Sequence, residues 1–504
     1  MTTSKASRPS QASLDISAAE MQALTSAVTQ LVAEYFSEVS NLPVFPDTSA
    51  GQTTSAIAAG LSDDGVSLDQ LLTDCKTILH HSRHNGHPRF FGYVASPATA
   101  PGAFADLIAS ALNANVTSWR SGPAATEIEL QVNEWLASLI GYADSETRAF
   151  GLLTSGGSMA NLTALMMAHR SRCDSKVSQT GLWNIAPMTI YASDQIHMSI
   201  PKAADILGLG RAQLRLIPCD DHFRMNVSRL RETIAEDLRC GLKPFCVIAS
   251  AGTVNTGAVD PFEEIAAVAK EFKLWFHIDG AYGALAARDE TKRPLFRGLE
   301  LADSISLDPH KWLYVPIDSG CLLFRDESAA RAAFSMDTAD YIKVHEQDRA
   351  EAFAFWNYGP ELSRRFRALK IWLTLRYYGV RRITGAISED IALAAYLAKQ
   401  IEQATDFELL AAPQLSICCF RYVPDHLQNL PGKRESAQLD AELDELNTRI
   451  MHAVQRGGRA YLSSANIAGK FALRACVTNF RTTRADIDET LEIIREAAKQ
   501  LAAG

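Results

Sequence analysis

Hydrophobic positions change period several times along this chain. Between residues 17 and 37, Met21, Leu24, Val28, Leu31, Val32 and Tyr35 recur at roughly three- and four-residue steps, the spacing of one face of an amphipathic helix. A Thr/Ser/Gly/Ala-rich interval follows, then a second helical stretch over 68–79. Residues 1–98 hold no strand signal and cannot bury much alone, so they are expected to form a helical arm packed against another surface, such as a second subunit.

The pattern then alternates. Short β-rich runs at 150–153, 189–192, 214–217, 245–250, 274–278, 304–307 and 321–324 are separated by helical spacing, as at 161–169 and 262–272. Such alternation predicts an α/β domain with a mainly parallel sheet, here 99–370. In sheets of this kind ligands sit at the carboxyl ends of the strands. From residue 371 helical spacing dominates again. It gives way to strand-like runs at 415–422 and 471–478 and a last helix over 487–501, predicting a smaller α+β domain, 371–504.

Composition narrows the classes. Of 504 residues, 47% are hydrophobic and 21% charged, a balance that buries a large core without disulfides or metals. The net charge of −9, with no basic block, argues against a nucleic-acid or anionic-membrane surface. Nine cysteines without CxxC spacing read as reduced core thiols of a cytoplasmic protein, and no metal is expected. No apolar run approaches the ~20 residues that span a bilayer. Residues 1–14 lack the hydrophobic region of a secretory signal and read as a mobile tail.

Four short segments carry chemistry. In Ser306-Leu307-Asp308-Pro309-His310-Lys311-Trp312 a strand ends, Asp-Pro breaks it, and a lysine follows at once. An amine held there in a partly desolvated pocket becomes nucleophilic towards an aldehyde. Asp279, closing the apolar run before Gly280-Ala281-Tyr282, suits the nitrogen of a pyridinium ring; it equally suits a helix cap. Thr154-Ser155-Gly156-Gly157-Ser158 opens a helix and offers bare N–H groups to a phosphate, although such loops are more often plain turns. His197 follows the run at 189–192, where a flat imidazole can stack on a ring or be merely structural. Each segment alone is weak. Their joint placement, each directly after a predicted strand, is the stronger signal.

These segments resemble the group II pyridoxal-phosphate-dependent decarboxylases, the family of aromatic-L-amino-acid, histidine and glutamate decarboxylases. The likeness runs from His87-Pro88-Arg89-Phe90-Phe91 to Phe471-Ala472-Leu473-Arg474, and Asp308-Pro309-His310-Lys311-Trp312 is its most specific part. The resemblance implies fold type I, the fold of the aspartate aminotransferases, with pyridoxal 5'-phosphate as cofactor, an amino acid as substrate and a homodimer with active sites at its interface. It implies that Lys311 carries the cofactor as a Schiff base and that Asp279 pairs with the pyridine nitrogen. Ala281 and His197 would sandwich the ring, with Thr253 near the ring hydroxyl or His197. Gly157 and Ser158 would hold the phosphate, with His310 also in the cofactor site and Asp308 nearby through water. Several relatives carry Asn at the position of Asp308, and an anionic Asp would repel a phosphate.

The resemblance also implies a loop crossing the dimer interface, here Asp337-Thr338-Ala339-Asp340-Tyr341-Ile342-Lys343, in which Tyr341 protonates the α-carbon. Family members with Phe at that position tend towards aldehyde formation, so Tyr341 favours decarboxylation to the amine. Tyr93 and Trp119 match stretches that line the substrate pocket, and Val94, Ala95 and Thr117 are small there. An aromatic L-amino acid is slightly favoured as substrate. Arg89 and Arg120 could bind a second carboxylate or be surface charges. Arg365 and Arg474 read as buried ion pairs holding the small domain, or as receivers of the substrate carboxylate. Rival readings are transamination or aldehyde synthesis on the same cofactor and, remotely, an inactive cofactor-binding regulatory protein.

Overall fold

The computed structural model describes residues 14–503 apart from 62, 145, 174–176, 184, 337–350 and 429–435. Most of the tail expected at 1–14, and all of the loop carrying Tyr341, lie outside the described residues.

Seven strands build the large sheet: β1 (Phe150–Thr154), β2 (Met188–Ser193), β3 (Leu214–Ile217), β4 (Lys243–Ser250), β5 (Trp275–Asp279), β6 (Ser304–Leu307) and β7 (Gly320–Phe324). They lie in the order β1-β7-β6-β5-β4-β2-β3. The five strands from β6 to β3 pair in parallel, while β7 runs antiparallel to both β6 and β1. Each corresponds to one of the seven predicted runs. Every residue of β2, β5, β6 and β7 is buried, because both faces of the sheet are covered. Strands in that setting read as continuous apolar runs. Register matters for the chemistry: Ser250, Asp279 and Ser306 face one another across β4, β5 and β6 at the carboxyl edge.

A second sheet, ordered β10-β11-β9-β8, is antiparallel throughout; its strands are β8 (Phe407–Ala411), β9 (Ile417–Tyr422), β10 (Ser463–Ile467) and β11 (Lys470–Cys476). Helices Ser436–Arg456 and Arg484–Ala503 accompany it. β9 and β11 match the predicted runs; β8 and β10 were not foreseen. The two halves meet on the long helical element Ala368–Gln403. It bends at Gly379, whose φ of 72° lies outside the helical region and favours glycine. Beyond the bend, Ile383, Ile387 and Ile391 belong to the core under the large sheet, whereas Leu393, Leu397 and Ile401 belong to that of the small sheet.

At the N-terminus, Ala18–Glu38 starts from a capping box made by Ser17 and Glu20. No residue of this helix, or of Ala50–Ile57 and Leu68–His80 after it, is buried. Met21, Leu24 and Val28 of its apolar stripe stand open. All nine cysteines are unpaired, and five are buried. Among the described residues no helix is long and apolar enough to cross a membrane.

Candidate active site

The carboxyl ends of β1, β2, β4, β5 and β6 open into one cleft of about 590 Å³, closed on the other side by residues of the small domain. That volume lies in the usual range for small-molecule and cofactor sites. Lining it are Lys311, Asp279, His197, Gly157, Ser158, Thr253, Ala281, Asp308, His310 and Tyr93. The segments singled out in the sequence thus converge on one cleft.

Lys311 sits in the single helical turn Pro309–Trp312 that follows β6. Its Nζ lies 3.0 Å from Asp308 Oδ2. Asp308 is buried, and its Oδ1 has no hydrogen-bond partner. His310 Nδ1 donates to Ser319 O at 2.7 Å, and Ser96 Oγ donates to the His310 carbonyl, so the residue before the lysine is pinned by both side chain and backbone.

Asp279 is held by three donors. Asn161 Nδ2 reaches its Oδ2 at 2.9 Å, while Ser306 Oγ and the Ala281 N–H reach Oδ1 at 3.2 Å. Asn161 is itself fixed by His277, whose Nε2 donates to Asn161 Oδ1 at 3.0 Å. Burial depresses His277 to about 4, so its ring is neutral and holds one proton to give. The same amide donates to Ser199 Oγ, which bonds His197 Nδ1 at 2.9 Å. The Ser199 N–H also points at that nitrogen, 3.2 Å away. Nδ1 of His197 is thereby the acceptor, and the proton resides on Nε2. Burial holds this imidazole below its ordinary pKa against the pull of Asp279.

Between β1 and the helix Gly157–Arg172 lies the loop Ser155-Gly156-Gly157. A Cβ on Gly157 would come within 2.9 Å of both Ala281 Cβ and Asp308 Oδ2. The bare backbone at this helix N-terminus is thus required by close packing, and it leaves N–H groups turned to the cleft. An amine at the strand ends, an acid fixed by three donors and an N–H cradle together fit pyridoxal phosphate; the unpartnered Asp308 oxygen does not add to that fit, since an anion there repels a phosphate. Lys311, Asp279, His197, Ala281 and the Gly157–Ser158 turn are the groups that would hold it.

One expected pocket residue lies elsewhere in this chain, and one expected catalytic residue is not described. Trp119 does not line the cleft; its indole N–H donates to Glu127 at 2.8 Å on the outer face of the helix Pro123–Leu139. Tyr341 lies outside the described residues. The arginine readings also change. Arg365 is exposed, its Nη2 3.5 Å from Asp106. The buried ion pair belongs to its neighbour Arg364, which joins Glu129 and the carbonyls of Val116 and Leu153. Arg474 is buried and, among the described residues, pairs with no carboxylate: it donates to the carbonyls of Val254, Asn255 and Tyr93 and lines the cleft. Arg89 and Arg120 pair with Asp486 and Glu351 and do not line the cleft.

Sequence reasoning missed Asn161 and Ser199, the two residues that tie Asp279 to His197. The available signal was an Asn one helical turn after Gly157 within an apolar helix. It also missed Ser463 and Ser464, which β10 brings to the cleft from the small domain.

The model of the pyridoxal-dependent decarboxylase conserved domain matches residues 51–423. Aromatic-L-amino-acid decarboxylase of Bacillus atrophaeus is 35% identical over 489 residues, covering 97% of each chain. Phenylacetaldehyde synthase of a Rosa hybrid cultivar is 29% identical, covering 94% of this chain and 93% of its own. The crystal structure of Oryza sativa TDC with PLP and tryptamine superposes with a TM-score of 0.87 at 27% identity, covering 96% of this chain and 99% of the other. With the lysine, the acid and the glycine loop at the ends of their strands, this chain belongs to the pyridoxal-dependent decarboxylases, enzymes of fold type I that act on amino acids with pyridoxal phosphate.

Proposed function

We propose that this enzyme converts an aromatic L-amino acid to its amine and CO₂, with Lys311 as the covalent anchor of the cofactor. The observation that carries the assignment of roles is the convergence of Lys311, Asp279 and His197 on one cleft, above the Gly157–Ser158 turn. Bound pyridoxal phosphate supplies an electron sink for the bond broken at the α-carbon. Asp279, oriented by three donors, presents a carboxylate to the ring nitrogen and keeps it protonated. Ala281 and His197, which line the cleft with Thr253, would flank the ring. His197 keeps its proton on Nε2, the nitrogen not engaged by Ser199, where it can serve as donor alongside Tyr341. Lys311, its Nζ 3.0 Å from Asp308 Oδ2, would carry the cofactor and, when free of it, hold a proton beside that carboxylate.

Support for an aromatic side chain comes from Tyr93 at the cleft wall and from the likeness to the Bacillus atrophaeus enzyme. Likeness to the rose aldehyde synthase favours aldehyde formation as a second reading. A homodimer is supported by the open apolar stripes of Ala18–Glu38 and of Ala100–Leu112, where Phe104, Leu107, Ile108 and Leu112 face solvent. Trp119 would then be available to a neighbouring subunit's site. We assign 1–98 to the arm, 99–370 to the cofactor domain and 371–504 to the small domain, and place the protein in the cytoplasm. The test is a screen of the twenty amino acids with added pyridoxal phosphate, scoring CO₂, amine, aldehyde and ammonia. Amine and CO₂ from Trp, Tyr or Phe are expected; aldehyde with ammonia would favour the second reading, and turnover confined to acidic or aliphatic substrates would refute the aromatic assignment.

A further inference from the structure

Behind the lysine turn, on the face away from the cleft, a carboxylate is buried without a cation. Asp390 is 1% exposed, on the stretch of Ala368–Gln403 where the two hydrophobic cores meet. Among the described residues no lysine or arginine forms an ion pair with it. Instead it takes three donors: Trp312 Nε1 at 2.9 Å and Tyr314 Oη at 2.6 Å on Oδ2, and the backbone N–H of Asn479 at 3.2 Å on Oδ1. The indole and backbone N–H groups can only donate, so the ionised carboxylate is the form that accepts all three. An uncompensated carboxylate is costly to bury. Its surroundings therefore specify one arrangement rather than merely filling space.

That arrangement surrounds Lys311. Trp312 is the next residue, in the same helical turn, and its ring is stacked on Tyr282 with centroids 5.1 Å apart and planes 10° from parallel. Tyr282 in turn follows Ala281 and lines the cleft. The indole is thus fixed by its face against Tyr282 and by its edge on Asp390. Tyr314, two residues further, has a φ of 56°, a backbone conformation that a bulky residue keeps only when its surroundings hold it. Asp390 thus holds the first and third residues after the lysine. Through Asn479 it is also joined to the segment at the cleft mouth, because Asn479 Nδ2 donates to His87 O and the neighbouring Thr478 Oγ1 to Ala95 O.

We propose that Asp390 is a positioning residue for the cofactor lysine: through Trp312 and Tyr314 it sets where the Lys311 amine stands relative to the cleft. The inference rests on the assignment of Lys311 as the covalent anchor. A displacement of about 1 Å in a reacting group costs up to about a hundredfold in rate. A loosened turn should therefore slow capture of the aldehyde without unfolding the protein.

The test uses the full-length apoenzyme at about pH 8 and pyridoxal phosphate as probe, with no amino-acid substrate. Borohydride quenching at timed intervals, followed by mass spectrometry, gives the rate at which Lys311 becomes linked to the cofactor. Asp390→Asn keeps an acceptor oxygen for one side but sets an NH₂ group against a donor on the other; it is expected to slow linkage about tenfold. Trp312→Phe keeps the ring and removes the N–H, and is expected to slow linkage similarly. The double variant should be no slower than the slower single one, because both act on one link. Wild-type linkage rates in the folded Asp390→Asn and Trp312→Phe variants would overturn the proposal and leave Asp390 a strut. If Asp390→Asn fails to fold, Trp312→Phe alone decides. Absence of label on wild-type Lys311 would instead refute the anchor assignment and the proposal with it.

Discussion

Asn161 Nδ2 stands 2.9 Å from Asp279 Oδ2, so the acid that closes β5 is oriented from the helix that opens at the glycine loop. One amide thereby links the region for the ring nitrogen to the region for the phosphate. The same Nδ2 also serves Ser199, and through it His197. Asp279 and His197 are thus coupled before any ligand arrives, which is what preorganisation requires.

Replacing Asn161 by Ala should therefore reach beyond one contact. Asp279 Oδ2 loses its donor, and the buried His277 N–H loses its acceptor. An unsatisfied buried group costs about 1–3 kcal/mol. The expected outcome is roughly tenfold weaker binding of pyridoxal phosphate, read by titrating the apoenzyme and following the absorbance of the bound cofactor. Unchanged affinity would mean that Ser306 and Ala281 suffice to orient the acid.

Charge at position 279 can be separated from shape. Asp279→Asn retains an oxygen for Ser306 and the Ala281 N–H but removes the charge that keeps a ring nitrogen protonated. The cofactor should still bind within about tenfold of wild type, while kcat for amine release falls by more than about a hundredfold. Comparable losses in both would show that the acid serves binding more than catalysis.

At Gly157 the limit is steric. An added methyl would lie 2.9 Å from Ala281 Cβ and Asp308 Oδ2, closer than ordinary van der Waals contact. Overpacking of this kind costs about 1–3 kcal/mol. Gly157→Ala is expected to weaken cofactor binding by one to two orders of magnitude, while Gly141→Ala, with open space around it but a φ of 74°, should cost stability and not affinity.

How much of this was legible follows from the physics of each element. The seven strands of the large sheet were visible because burial on both faces makes apolar runs of four to eight residues. Asp279 stood out because it closes such a run, and Lys311 and His197 because each follows one closely. β10 was invisible: Ser463-Ser464-Ala465-Asn466-Ile467 alternates weakly at a sheet edge, where one side of the strand has no partner to demand apolar residues. Arg364 and Arg365 are adjacent, and no periodicity distinguishes which enters the core; only the position of Glu129, 235 residues away in sequence, decides it. The place of Trp119 outside its own chain's cleft was illegible for a similar reason. Its partner Glu127 lies one turn into the next helix, and an aromatic residue near a matching motif gives no sign of the direction its ring takes.

Two buried groups should give opposite pH dependences of stability. Burial lowers His169 to about 4 and raises Asp390 to about 7. An unfolded histidine titrates near 6.5, so between about pH 6.5 and 4 the unfolded chain binds a proton that folded His169 refuses. Stability from this group is complete above that window and is lost as pH falls through it. For Asp390 the folded state binds the extra proton between about pH 4 and 7, so its contribution is complete at the acid end and lost as pH rises. Relative to His169→Gln, wild type should lose on the order of 2 kcal/mol as pH falls from about 6.5 to 4. Relative to Asp390→Asn, it should gain stability as pH falls from about 7 to 4. Urea midpoints of the three proteins across that range give both differences. Parallel pH curves for wild type and His169→Gln would show that the imidazole at 169 accepts its proton in the folded state as readily as in water.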